Sequence, residues 1–253
     1  IRPTRDTMGV SDIMAMSQET HTVKQFDVQL ANLRNLVLEM GRLVEEQIRN
    51  AIQTLDDENL TAAREVIARD QVINGLQVKA DEDCVNLIAL RQPLGSDLRM
   101  IMSFSKAIND LERIGDEAEK IARMTIKTYD GVSSPPSAKL LRDVKPMAKL
   151  AIDMLHNCLD ALAKLDIEKA VAVAQGDDEL DQEFQSALRR LITYMMEDTR
   201  TIGQAISVIF IIKALERIGD HSKNISEYLI YLVKGKDVRH VSMDELVQGA
   251  LDK

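Results

Sequence analysis

The amino-acid sequence predicts an all-α protein made of two consecutive copies of one three-helix unit, related by a pseudo-twofold axis. Three observations support this fold class. Apolar residues recur in steps of three and four over long stretches, which is the period of an amphipathic helix. Aromatic residues make up only 3% of the chain and Trp is absent, which favours an aliphatic core between packed helices over β-sheets. A six-residue motif also occurs twice.

The first unit is predicted to span residues 21–128, after a disordered arm formed by residues 1–20. The helical period begins at Phe26 and continues for about thirty residues, which predicts one long first helix. Asn59 supplies a cap for the second helix. Pro93 ends the second helix because it lacks the backbone donor that a helix requires, and a third helix follows.

The segment YDGVSSPPS at residues 129–137 is rich in Ser, Pro and Gly and is predicted to be a linker. The second unit then occupies residues 138–236, with predicted helices over about 138–164, 167–198 (capped by Asp166) and 201–234. Residues 237–253 form the predicted C-terminal tail. Within this tail, Ser242 and Glu245 have the spacing of a capping box, which predicts a short final helix.

The repeated motif is LERIGD, at positions 111–116 and 215–220, a shift of 104 positions. Glu112 and Asp116 lie four residues apart, so on a helix they share one face, and Glu216 and Asp220 repeat the arrangement. Like charges at this spacing weaken an isolated helix by roughly 0.2–0.5 kcal/mol. Each motif glycine costs about 1 kcal/mol relative to Ala. Some other benefit is therefore expected to offset these costs.

Two explanations of the motif are open. In the structural one, Arg113 and Arg217 each pair with the Asp three residues later, and the glycine lets a neighbouring helix approach closely. In the functional one, carboxylates from two adjacent helices bind a hard divalent cation. Mg²⁺, Mn²⁺ or iron fits such a site best, with Zn²⁺ or Ca²⁺ as alternatives.

The second helix of each unit supplies further candidate ligands. Asp177 and Asp181 form an Asp-x-x-x-Asp pair, and Asp70 and Asn74 hold the matching places in the first unit. Because Asn74 replaces a carboxylate, the sequence predicts a weaker site in the first unit. The complete set of candidate metal ligands is Asp70, Glu112, Asp116, Asp177, Asp181, Glu216 and Asp220.

Catalysis is not indicated by any motif. The sequence has no Glu-x-x-His pair of the di-iron type, no Gly-rich phosphate loop, no GxSxG motif and no Cys/His nucleophile pair. A metal-dependent carboxylate enzyme and a purely structural helical scaffold both stay open at this point. Acidic pairs that prove silent on mutation would favour the scaffold.

The charge and the cysteines restrict partners and location. A net charge of −9 disfavours nucleic-acid binding, because DNA and RNA are themselves negatively charged. The two cysteines form no CxxC motif, which fits a reduced cytoplasmic location. No apolar stretch is long enough to cross a bilayer and no signal peptide is visible, so direct membrane insertion is not expected.

Several segments resemble the PhoU family of phosphate-signalling proteins, in the family's order and over about residues 22–245. They are both LERIGD motifs, RQP at 91–93 with SDLR at 96–99, LITYMMEDTR at 191–200, and YLVKGK at 231–236 with VRH at 238–240. The resemblance implies two tandem three-helix bundles, with metal ions on the acidic motifs of both. Lys213 stands where the first unit has Asn109, and together with Asn74 it predicts unequal occupancy of the two sites.

The same resemblance implies a function. It indicates a regulatory adaptor without catalytic activity, which couples a phosphate ABC transporter to a sensor histidine kinase and represses phosphate-starvation genes when phosphate is plentiful. The partners it implies are the ATPase subunit of the transporter, the PAS region of the kinase and a second copy of the chain. The protein is then expected in the cytoplasm, recruited to the inner face of the membrane through these partners.

Overall fold

A computed structural model describes the backbone of residues 10–130 and 135–251 and, within these ranges, the side chains from residue 25 onward. The helices are α1 (Val10–Asp56), α2 (Leu60–Arg91), α3 (Ser96–Tyr129), α4 (Ala138–Leu141), α5 (Val144–Lys164), α6 (Ile167–Glu197), α7 (Ile202–Lys234) and α8 (Met243–Leu251). A 3₁₀ turn, Thr199–Thr201, leads into α7. No strand occurs in these described ranges, which confirms the all-α fold class.

The helices form two tandem three-helix bundles. The first contains α1, α2 and α3, and the second contains α5, α6 and α7. Helices α3 and α7, which carry the two LERIGD motifs, pack against each other between the bundles, and α1 also contacts α5. The core is largely aliphatic, and Leu111, Ile114, Leu215 and Ile218 of the motifs are all fully buried in it. The motif therefore fixes one helix face in the core while its acidic residues lie beside the neighbouring helix.

Three helix starts form as their sequences predict. Asn59 Oδ1 accepts a hydrogen bond from the Ala62 backbone N–H at 3.0 Å, and Asp166 Oδ1 accepts one from Lys169 N–H at 3.0 Å. At α8 the Ser242 backbone N–H donates to Glu245 Oε2 at 2.9 Å, and the Glu245 N–H donates to Ser242 Oγ at 3.3 Å. These reciprocal bonds satisfy donors that the first turn leaves unpaired, so the predicted capping box is confirmed.

Two predicted boundaries are wrong. Helix α1 begins at Val10, so residues 10–20 are helical rather than a disordered arm, and residues 1–9 lie outside the described part of the chain. No Gly or Pro stands between Val10 and Gly41, so nothing in the backbone stops the helix from extending. The predicted helix over 138–164 is split into α4 and α5. Pro146, in the first turn of α5, cannot donate to the carbonyl four residues earlier, which allows the break at residues 142–143.

The predicted linker is partly described. Tyr129 is the last residue of α3, residues 135–137 have no regular structure, and residues 131–134 lie outside the described ranges. Among the helices that the structure describes, none combines the length and apolarity needed to cross a membrane.

Candidate functional site

Three carboxylates meet between α6 and α7. Asp181 of α6 and Glu216 and Asp220 of α7 each offer one oxygen, and these oxygens all lie within 4.8 Å of one another. Glu216 and Asp220 stack one turn apart on α7, as their spacing predicts, and Asp181 reaches them from the adjacent helix. Carboxylate oxygens gathered at this distance are the donor set that hard divalent cations prefer. We refer to Asp177, Asp181, Glu216 and Asp220 as the second-half cluster.

Asp177 lies one turn before Asp181 but is already paired. Its Oδ2 accepts a hydrogen bond from Lys223 Nζ at 2.7 Å, and the side chain is buried. Asp177 therefore belongs to the cluster electrostatically, while the three convergent oxygens come from the other residues.

Lys213 places a positive charge directly on Glu216. Its Nζ lies 2.5 Å from both Oε1 and Oε2 of Glu216, and it also lies 5.2 Å from the centre of the Phe184 ring. An ammonium bound by both oxygens of one carboxylate neutralises part of the negative charge that a metal ion would otherwise neutralise.

Repulsion among the carboxylates remains despite the two lysines. Burial, together with the negative charges of Glu216, Asp177 and Asp181, raises the pKa of Asp220 to about 6, while Lys213 opposes the shift. Burial also raises the pKa of Asp181, with Asp177 and Glu216 adding to the effect. A bound divalent cation would relieve this repulsion, so the residues present fit such an ion.

The equivalent group in the first bundle is less convergent. Asp70 of α2 is buried and accepts hydrogen bonds from Gln47 Nε2 at 3.1 Å and Asn74 Nδ2 at 3.0 Å. Burial raises the pKa of Glu112 and of Asp116, and in both cases the Asp70 carboxylate raises it further. In the described residues, the three-carboxylate convergence within 4.8 Å occurs only in the second half. We refer to Asp70, Glu112 and Asp116 as the first-half cluster.

Asn74 leaves one buried atom without a partner. Its Nδ2 donates to Asp70, whereas its Oδ1 is buried and accepts no hydrogen bond. A buried oxygen without a donor is costly. Amide oxygens are common ligands of Ca²⁺, so this atom also fits a cation beside Asp70.

The motif glycines have a steric role, as the structural explanation predicts. A Cβ at Gly219 would lie 2.4 Å from Leu180 Cδ2, and one at Gly115 would lie 3.2 Å from Ile73 Cδ1. The glycines therefore allow α6 and α2 to approach α7 and α3 closely. They are explained without a metal.

The motif arginines do not form the predicted local pairs. Arg217 Nη1 lies 2.9 Å from Glu117 Oε1 of α3, so it links the two bundles instead of neutralising Asp220. Arg113 forms no ion pair with Asp116 within 4.0 Å in the described residues, although its charge lowers the pKa of that carboxyl. The acidic pairs are consequently less compensated than the spacing of charges suggests.

Gln47 is a site residue that the motif did not indicate. It lies on α1, its side chain is buried, and its Nε2 donates a hydrogen bond to Asp70 Oδ1. A signal for it exists in the sequence, because Gln47 stands three residues after Val44 and four before Ala51, on the apolar face of its helix. A polar residue at such a position requires a buried partner.

The chain matches the PhoU domain family model twice, over residues 37–125 and 144–229. These two matches coincide with the two bundles. The chain is 44% identical to the phosphate-specific transport system accessory protein PhoU homolog of Pseudomonas putida over 232 residues, which covers 90% of each chain. It is 41% identical to the phosphate-specific transport system accessory protein PhoU of Escherichia coli K12, covering 92% of this chain and 95% of that one.

Solved structures give the same result. The crystal structure of PhoU from Pseudomonas aeruginosa matches with a TM-score of 0.80 and 43% identity, covering 83% of this chain and 100% of that chain. The PhoU regulatory protein of the Streptococcus pneumoniae phosphate transport system matches with a TM-score of 0.76 and 31% identity, covering 84% and 99%. The repeat, the two bundles and these similarities together show that the chain belongs to the PhoU family.

Proposed function

We propose that this chain is a non-enzymatic regulatory adaptor that couples a phosphate ABC transporter to a sensor histidine kinase and represses phosphate-starvation genes when phosphate is plentiful. The similarity that carries the proposal extends over nearly the full length of relatives named as accessory proteins of the phosphate-specific transport system. The partners are the ATPase subunit of the transporter, the PAS region of the kinase and a second copy of the chain. They hold the protein at the inner face of the membrane.

The adaptor acts by binding rather than by chemistry. A protein that binds one state of the kinase more tightly than the other shifts the balance between the states by its difference in binding free energy. Long packed helices suit this role because they present extended surfaces that deform little when a partner binds. The 47-residue α1 and the 32-residue α2 are examples of such surfaces.

The acidic clusters are the proposed metal sites. Asp181, Glu216 and Asp220 hold a divalent cation in the second half, next to Asp177, and Asp70, Glu112 and Asp116 hold one in the first. The convergent oxygens of the second half and the unpaired Asn74 Oδ1 of the first support this proposal. When bound, the cation supplies positive charge through which phosphate or an acidic group of a partner can be contacted.

The test is an alkaline phosphatase reporter under phosphate-starvation control, assayed at high phosphate. The host lacks its own copy of this regulator and has a matching transporter and kinase. It carries the wild-type chain, or a variant in which Glu112, Asp116, Glu216 and Asp220 are all changed to Ala. A matched control changes four exposed acidic residues away from the clusters to Ala: Asp57, Glu65, Glu82 and Asp244. Both variants alter the net charge equally, and circular dichroism establishes that each is folded.

We expect the wild type and the control to silence the reporter and the cluster variant to leave it active. If the control and the cluster variant both silence it, the adaptor function stands and the clusters have a structural role. If the wild type fails to silence it, the regulatory proposal is wrong. Phosphate-ester turnover by the purified chain with Mn²⁺ or Fe²⁺ would instead support a metal-dependent enzyme.

A further inference from the structure

We propose that Lys213 is a tethered cation that competes with divalent metal for the second-half cluster, so that the two halves of the protein bind metal with different affinities. This inference rests on the proposed metal binding and adds a residue that sets its strength. Lys213 is not a ligand. Its ammonium contacts both oxygens of Glu216, which is a proposed metal ligand. A metal ion must displace the ammonium in order to bind there.

The contacts of Lys213 place its ammonium where it would compete with a metal ion. Its Nζ lies 2.5 Å from each Glu216 oxygen, and the Lys213 side chain is 43% exposed while that of Glu216 is 11% exposed. The ammonium therefore reaches from the solvent side onto a largely buried carboxylate. Its position 5.2 Å from the Phe184 ring centre adds a cation–π attraction that favours the same placement.

A second ammonium increases the effect. Lys223 Nζ lies 2.7 Å from Asp177 Oδ2. Two of the four carboxylates of the second-half cluster are thus in contact with a lysine, Glu216 with Lys213 and Asp177 with Lys223. Because Asp181, Glu216 and Asp220 already converge, charge rather than geometry limits metal binding there.

The first half has no ammonium at the corresponding places, since the repeat places Glu119 opposite Lys223. The repeat shift of 104 places Asn109 opposite Lys213, and Asn109 has no charge. Its Nδ2 donates to the Ser105 carbonyl at 3.0 Å, and its Oδ1 accepts from Gln77 Nε2 at 2.9 Å. Asp70, the counterpart of Asp177, is bonded by the amides of Gln47 and Asn74 instead of by a lysine.

The two halves therefore stabilise the same buried carboxylate differently, with amides in the first and with an ammonium in the second. An amide N–H donates a hydrogen bond and does not repel an incoming cation. An ammonium donates a hydrogen bond and also repels the cation. Lys213 therefore lowers the metal affinity of the second-half cluster below what its three convergent oxygens alone would give.

The experiment titrates Mn²⁺ into the full chain and follows free Mn²⁺ by electron paramagnetic resonance. To isolate the second half, Glu112 and Asp116 are changed to Ala. In this background Lys213 is retained, changed to Met, changed to Gln or changed to Arg. The matched control is Lys164→Met, which removes a lysine that pairs with Asp160 at 2.8 Å elsewhere. Thermal melting establishes that each variant is folded, and Met and Gln provide two neutral side chains of different polarity.

We expect Lys213→Met and Lys213→Gln to increase Mn²⁺ affinity at least tenfold. We expect Lys213→Arg and Lys164→Met to leave it within about twofold of the background. The reciprocal change is Asn109→Lys in a chain whose second half is disabled by Glu216→Ala and Asp220→Ala. It should lower Mn²⁺ affinity of the first half by a similar factor.

The possible failures are distinguishable. Equal Mn²⁺ affinity with Lys, Met and Gln at position 213 overturns the tethered-cation inference and leaves the proposed metal site intact. Absence of Mn²⁺ binding by every chain, including the wild type at millimolar concentration, overturns the metal site itself and the inference with it. Neither result affects the adaptor proposal, which the reporter assay tests separately.

Discussion

His221 of α7 donates a hydrogen bond from Nδ1 to Asp110 Oδ1 of α3 over 2.6 Å, and both side chains are 9% exposed. Asn224 Nδ2 donates to the same oxygen at 3.3 Å. Together with the Arg217–Glu117 pair, this contact places paired polar groups in the interface between the two bundles. Buried polar groups stabilise an interface only when they are paired, so the interface is sensitive to the loss of either partner.

We therefore predict that Asp110→Ala lowers the free energy of unfolding by about 1–3 kcal/mol, because it leaves His221 and Asn224 without their acceptor. Urea denaturation measures this effect. A double-mutant cycle with His221→Ala should give a coupling energy of about 0.5–3 kcal/mol. The control Asp57→Ala removes an exposed carboxylate and should change stability by less than about 0.5 kcal/mol. Additive effects of Asp110→Ala and His221→Ala would contradict the prediction.

Replacement by Ala should have opposite effects on stability at two glycines in helix interiors, Gly219 and Gly75. At Gly219 the new methyl group would lie 2.4 Å from Leu180 Cδ2, and Leu180 is itself fully buried, so Gly219→Ala should destabilise by about 1–3 kcal/mol. At Gly75, among the residues that the structure describes, no atom beyond the adjacent backbone of its own helix lies within 4 Å of the added Cβ. Gly75→Ala should therefore stabilise by about 0.5–1 kcal/mol through helix propensity and the unfolded chain. Thermal melts compare the pair directly, and the same sign of change for both would refute the steric assignment.

Glu227 should make stability depend on pH. Burial raises the pKa of its carboxyl from 4.5 to about 7, while Lys223 and Arg239 oppose the shift. Between these two values the folded chain binds the proton more tightly than the unfolded chain does. The contribution of Glu227 to stability is thus most favourable below pH 4.5 and is lost as pH rises through 7.

Changing Glu227 to Gln removes this titration. We expect the variant to exceed the wild type in stability by on the order of 1–3 kcal/mol at pH 8 and to match it near pH 4. Urea unfolding at intervals across this range provides the measurement, with the exposed Glu82→Gln as control. If the free energies of unfolding of wild type and Glu227→Gln changed in parallel at all pH values, burial would not raise the proton affinity of Glu227.

The capping box should stabilise α8 locally. Ser242→Ala removes the hydroxyl that accepts from the Glu245 N–H, at a cost of about 1 kcal/mol to the helix. Hydrogen exchange should accelerate about fivefold for the amides of α8 and remain unchanged in α3 and α7. Acceleration throughout the chain would instead show that α8 unfolds only together with the rest of the protein.

Much of the fold follows from the sequence because its main signals are local. The apolar period places α2, α3, α6 and α7 to within a few residues, and Asn59, Asp166 and Ser242 cap helices as their side chains predict. The break before α5 was not predicted because the apolar period continues across it, and only Pro146 marks the change.

The site was harder to predict because its contacts come from different helices. The spacing identifies Glu216 and Asp220 as neighbours, but only the packing of α6 against α7 distinguishes Asp181, which converges with them, from Asp177, which pairs with Lys223. Likewise, Arg217 has an acidic residue three positions later, yet it bonds Glu117 of another helix. The spacing of residues along a helix defines which partners a charged side chain can reach. The packing between helices determines which of these partners it contacts.

The close approach at Gly219 sets a length scale for the carboxylates on either side of it. Glu216 and Asp220 flank this glycine on α7, and Asp181 directly follows the Leu180 side chain that presses against it. One additional carbon at this position would overlap Leu180 Cδ2, so the Leu180 side chain or helix α6 would have to shift. A shift of α6 would carry Asp181 away from Glu216 and Asp220. A residue without a side chain thus controls how closely the carboxylates of two helices approach one another.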